Sequence, residues 1–62
     1  MYKLRFYKLS GADKGKFDHE EFFETKEGMN KRYKEVFVYD RFSLNPTSWK
    51  RTENGWERMF GY

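Results

Sequence analysis

In Ser48-Trp49-Lys50-Arg51-Thr52-Glu53-Asn54-Gly55-Trp56-Glu57-Arg58-Met59-Phe60-Gly61-Tyr62, an Asn-Gly pair separates two stretches that carry Trp, Thr and Phe. Asn and Gly tolerate the positive φ angles of a two-residue hairpin turn, and the flanking residue types favour strands, so this segment reads as an antiparallel hairpin. With Asn54-Gly55 at the centre of the turn, Glu53 pairs with Trp56, Arg51 with Arg58 and Trp49 with Phe60. Trp49, Arg51, Trp56, Arg58 and Phe60 then share one face. A loop that shifts the pairing by one residue would instead set Arg51 against Glu57 and disperse the cluster.

Upstream, Asn45-Pro46 marks a turn and stops any helix from running through it. Before that turn lies a helical stripe: Met29, Tyr33, Val36 and Phe37 recur at i, i+4, i+7 and i+8. Thr25 is placed to cap this helix, with Glu27 in its first turn, where the helix dipole favours a carboxylate. Lys31 and Lys34 fall on the far side. The helix should end between Val36 and Tyr39, because continuing it turns Val38 outward and Asp40 inward; an extra strand over 36–41 is the alternative.

At the start of the chain, Tyr2-Lys3-Leu4-Arg5-Phe6-Tyr7-Lys8 alternates apolar and basic residues, as a half-buried strand does, with Tyr2, Leu4 and Phe6 inward. Ser10 to Gly15 is a polar loop bounded by glycines. Phe17 to Glu24 reads as the returning strand, with Phe22-Phe23 suggesting a bulge and a capping-box spacing of Asp18 and Glu21 offering a helical alternative. The expected fold class is α+β: a small antiparallel sheet from two β-hairpins with one helix packed on one face (ββαββ), all in a single compact domain over 1–62.

Composition is consistent with that plan. The 62 residues include 7 Phe, 5 Tyr and 2 Trp but only 3 Leu, 2 Val and no Ile. A chain this short buries about 60% of the surface it exposes when unfolded, so a few large rings must supply most of the core. There is no Cys, which removes disulfides and thiolate metal sites and favours a reducing, cytoplasmic home. No apolar run is long enough for a membrane span, and the opening residues do not form a signal peptide, so no membrane association is expected. The net charge of +3 hides an alternation: residues 1–16 are basic, 17–28 acidic and 29–51 basic again. Opposite charges on adjacent strands pair favourably, so the acidic run should answer Lys3, Arg5 and Lys8.

Sites of chemistry are hard to find. Gly11-Ala12-Asp13-Lys14-Gly15-Lys16-Phe17 has three residues between its glycines and Phe after the Lys, whereas a phosphate-binding P-loop needs four and then Ser or Thr. His19, the single histidine, lies among Asp18, Glu20 and Glu21. In extended chain those neighbours alternate between faces, so an exposed strand histidine is expected rather than a metal ligand. Cysteine–histidine catalysis is impossible, and a serine–histidine pair has no signature here. A minimal ribonuclease built on His, Arg and Tyr stays open as the enzymatic alternative. No catalytic residue, cofactor or metal is assigned.

The aromatic–Arg group of the second hairpin has three readings: core under the helix, a protein-binding patch, or a platform for nucleic acid. Tyr39-Asp40-Arg41-Phe42 offers a smaller version of the same choice, with closure of one end of the core preferred. The strand-to-helix junction Phe22-Phe23-Glu24-Thr25-Lys26-Glu27 and the closing Trp56-Glu57-Arg58-Met59-Phe60 resemble small phage or mobile-element accessory proteins, among them anti-CRISPR inhibitors of host defence. That resemblance implies an accessory or inhibitory role and supplies no site residue.

The expected function is therefore a small non-enzymatic protein that binds a nucleic-acid-handling protein and sterically occupies one of its surfaces. Trp49, Arg51, Trp56 and Arg58, helped by Lys31, Lys34 and Arg41, are the candidate partner-binding residues. Direct nucleic-acid binding through the helix and second hairpin is the alternative, and unpaired strand edges leave a homo-oligomer as a third.

Overall fold

The computed structural model describes residues 1–59 of the chain. Strand β1 (Tyr2–Lys8) keeps the expected alternation: Leu4 and Phe6 are fully buried, and Tyr2 packs beside them. Lys3, Arg5 and Tyr7 accordingly project from the opposite side of the strand. Strand β2 (Phe17–Phe23) returns antiparallel to β1, and helix α1 (Lys26–Tyr39) follows. Strands β3 (Leu44–Thr52) and β4 (Gly55–Met59) form the second hairpin. β1 also pairs antiparallel with β3, which joins the hairpins into one sheet of order β2-β1-β3-β4. The protein is a small α+β fold.

Helix α1 covers one face of that sheet. Met29 and Val36 are fully buried against Leu4 and Phe6, with Phe23, Tyr33, Leu44 and Met59 packed around them. Thr25 is the N-cap, its Oγ1 accepting from the Gly28 N–H at 3.1 Å, and Glu27 lies in the first turn. The helix runs to Tyr39, the far end of the expected range, and Asp40 closes it by donating its N–H to Val36 O at 2.8 Å. Val38 is left 70% exposed as a result. Tyr39 and Phe42 are also exposed rather than closing the core, and Phe37, expected in the inward stripe, is 49% exposed.

Pro46 lies inside β3 and not in a turn. The Arg51 N–H donates to Met1 O, so hydrogen-bonded pairs between β1 and β3 fall on odd-numbered residues. Phe6 and Pro46 face each other at a non-hydrogen-bonded pair. The position where proline lacks an N–H therefore points away from β1.

The register of the second hairpin also differs from expectation. Glu53-Asn54 forms the turn, and Thr52 pairs with Gly55, Arg51 with Trp56 and Trp49 with Arg58. Gly55 has φ +107 and provides its backbone freedom at the end of the turn rather than in the middle. Thr52 Oγ1 accepts from the Asn54 N–H at 3.2 Å and donates to Gly55 O at 3.1 Å, closing the turn in this register. Because the shift is two residues, every side chain keeps its face. Phe60 and its expected pairing with Trp49 lie outside the described residues.

The bulge of the first hairpin is at Asp18, not at Phe22-Phe23: Phe6 pairs with His19, and Tyr7 with Phe17. Among the described residues no helix is long and apolar enough to cross a membrane.

Candidate contact face of the sheet

The face of the sheet turned away from α1 is built around Lys3. Its side chain is 10% exposed, and Nζ bonds Glu20 Oε2 at 2.8 Å across the β1–β2 pair. Nζ also lies 4.5 Å from the Trp56 ring centroid and 5.9 Å from that of Trp49. A cation over an aromatic face is attracted by the ring quadrupole, more strongly where water is excluded. Phe22, from β2, reaches the Trp56 ring at 6.0 Å between centroids. Three strands thus converge through their side chains over a residue of the fourth, β1.

The Trp49 indole is fixed by its polar end as well. Its Nε1–H donates to Thr47 Oγ1 at 2.9 Å, and the Thr47 hydroxyl donates to Arg5 O at 3.1 Å. Arg51 lies over the Trp56 ring at 5.7 Å and Arg58 over the Trp49 ring at 5.9 Å. Both indoles are half-buried, both arginines are exposed, and Phe22 is 56% exposed.

A second cation–ring group adjoins the first. The Arg5 guanidinium lies 4.8 Å from the Phe17 ring and 5.8 Å from the Tyr7 ring, and those two rings meet edge to face. Arg5 Nε is 3.9 Å from Glu20 Oε2 and makes no hydrogen bond.

Of the candidate partner-binding residues, Trp49, Arg51, Trp56 and Arg58 come together on this face. Lys31 and Lys34 are exposed on α1, on the other side of the sheet. Arg41 lies in the turn after α1, its guanidinium over the Phe42 ring at 4.9 Å. Sequence reasoning missed Lys3, Arg5, Phe17 and Phe22 as members of the face. The alternation of β1 already turned Lys3 and Arg5 away from the core, but local pattern carries no sign that β1 would lie beside β3.

On the helix side, regular alternation sets Glu21 beside His19 and the bulge brings Asp18 to the other end of its ring, so the expected exposed strand histidine is half-buried and bonded on both sides. Nδ1 donates to Asp18 and Nε2 donates to Glu21 at 2.9 Å. The ring stacks on Phe6 with centroids 4.5 Å apart. Arg32 of α1 donates to both Glu21 oxygens, at 2.9 and 3.2 Å. The Glu21 bond, and then the Asp18 bond, raise the His19 pKa, with burial opposing them. The Arg32 bond holds the Glu21 carboxyl below its ordinary value. Among the described residues no group of three or more His, Cys, Asp or Glu is arranged to hold a metal ion.

No protein-family model, no curated protein and no solved structure matches this chain.

Proposed function

We propose that this chain is a non-enzymatic binding protein that acts as an accessory or inhibitor, covering a functional surface of a nucleic-acid-handling partner. Its contact surface is the open face of the sheet. The observation that carries this reading is the stack of Trp49, Trp56 and Phe22 around the pinned Lys3, with Arg51 and Arg58 exposed beside it. Tryptophan and arginine dominate binding hot spots, and rings already held in place lose little freedom when a partner arrives. The lack of cysteine supports a reducing, cytoplasmic setting.

Affinity capture from host extract, with and without nuclease, tests the proposal. Trp56→Ala and Arg58→Ala should each weaken capture by about 2 kcal/mol or more while the far-ultraviolet spectrum stays native. A loss of only a few tenths of a kcal/mol at both would remove the open face as the contact surface.

A further inference from the structure

We infer that the open face takes single-stranded nucleic acid directly, with bases laid on Trp56, Trp49 and Phe22 and phosphates held by Arg5, Arg51 and Arg58. The inference rests on the reading of this face as the working surface and names its ligand. Charge is the first argument. Lys3, Arg5, Arg51 and Arg58 share the face, and among the described residues Glu20 meets Lys3 and Arg5, bonded to the first and near the second. The neighbouring acids of β2 are committed elsewhere, Asp18 to His19 and Glu21 to His19 and Arg32. A cationic face of this kind is matched to the phosphate polyanion of a nucleic acid.

The rings give the second argument. Every base has a π-face, and flat aromatic side chains bind single strands by stacking without needing a particular sequence. In a duplex those faces are occupied by neighbouring bases, so ring stacking selects unpaired strands. Phe22, Trp49 and Trp56 come from β2, β3 and β4 and gather around Lys3, with the Phe22 and Trp56 ring centroids 6.0 Å apart. The Arg5–Phe17–Tyr7 group adds a second cation-and-ring position on the same face. On the helix side the sheet is covered by α1.

Fluorescence anisotropy with labelled oligo-dT and oligo-U of about 12 nucleotides, against a duplex of similar length, tests the inference. The single strands should bind more tightly than the duplex. Three phosphate contacts predict a log–log salt slope of about −2, or about fifteenfold weaker binding between roughly 50 and 200 mM salt. Trp56→Ala should lose roughly tenfold or more, while Trp56→Phe, which keeps a ring, should retain most of the affinity. Arg51→Ala should reduce the slope by about 0.7.

Absence of any anisotropy change at low salt would overturn the inference, as would equal binding of duplex and single strand with no response to Trp56→Ala. If oligonucleotides fail to bind but a host protein is captured through nuclease treatment, and Trp56→Ala and Arg58→Ala abolish that capture, the ligand is a protein and the open-face reading survives. If oligonucleotides fail and capture ignores both substitutions, the reading falls as well.

Discussion

A lysine side chain that is 10% exposed needs a counter-charge, and Lys3 finds it in Glu20. Removing one partner of a desolvated pair costs more than replacing the pair, because the remaining charge stays buried without compensation. Glu20→Gln should therefore destabilise the protein by about 1.5–3 kcal/mol in urea unfolding. Lys3→Met should cost less, since Glu20 keeps Arg5 and some solvent. The reverse order would mean that the indoles, and not the carboxylate, hold Lys3 in place.

His19 makes a different demand on its neighbours. Carboxylates accept hydrogen bonds, so both ring nitrogens must donate and the imidazole is charged when the bridge is complete. A raised folded pKa gives stability that is full below the unfolded value, about 6.5, and lost as pH rises through the folded value. Glu21 is lowered, so its contribution is present above the ordinary carboxylate value and lost as pH falls through the lowered one. Thermal melts should show the midpoint falling as pH rises above about 6.5, with a flatter response in His19→Gln. A midpoint that climbs over that window would contradict the bridge.

At the scale of elements, the turn of the second hairpin shows what is legible in sequence and what is not. Asn54-Gly55 announces a hairpin because few other pairs tolerate its backbone angles. Which residue takes the positive φ depends on Thr52, whose hydroxyl bonds both arms of the turn, and that contact exists only after folding. Gly55→Ala should cost about 1–2 kcal/mol, measured as the shift in urea unfolding, because an L-residue resists φ +107. An indistinguishable midpoint would mean that the turn rearranges freely.

Helix and strand assignments were readable for similar reasons. Thr25 as cap and the alternation of β1 are local patterns, and both match the structure. The helix end was harder to read, since Val38 and Tyr39 look too apolar to be left in solvent. Pro46 misleads because its lost N–H matters only on the side facing a hydrogen-bonding neighbour. The Asp18 bulge offsets two strands by one residue, and nothing in Asp-His-Glu-Glu marks that offset.

As a whole molecule, the protein has a core on one side of its sheet and a cation–ring layer on the other. Leu4, Phe6, Met29 and Val36 lie under the helix, so substitutions on the open face leave the fully buried cluster intact. The candidate site was half legible. The second hairpin's residues share a face in either of two registers separated by two, whereas the contribution of β1 and β2 depends on which strands become neighbours.

The first strand lies in the interior of the sheet, between its own hairpin partner and a strand that begins only at Leu44. Cutting the chain in the turn after the helix would leave one piece with an inner edge bare and the other with no helix to cover it. Neither piece has the means to stand alone, but each offers the edge the other lacks. Mixed together, the two fragments should reassemble into the intact sheet, a split pair whose recovery depends on concentration.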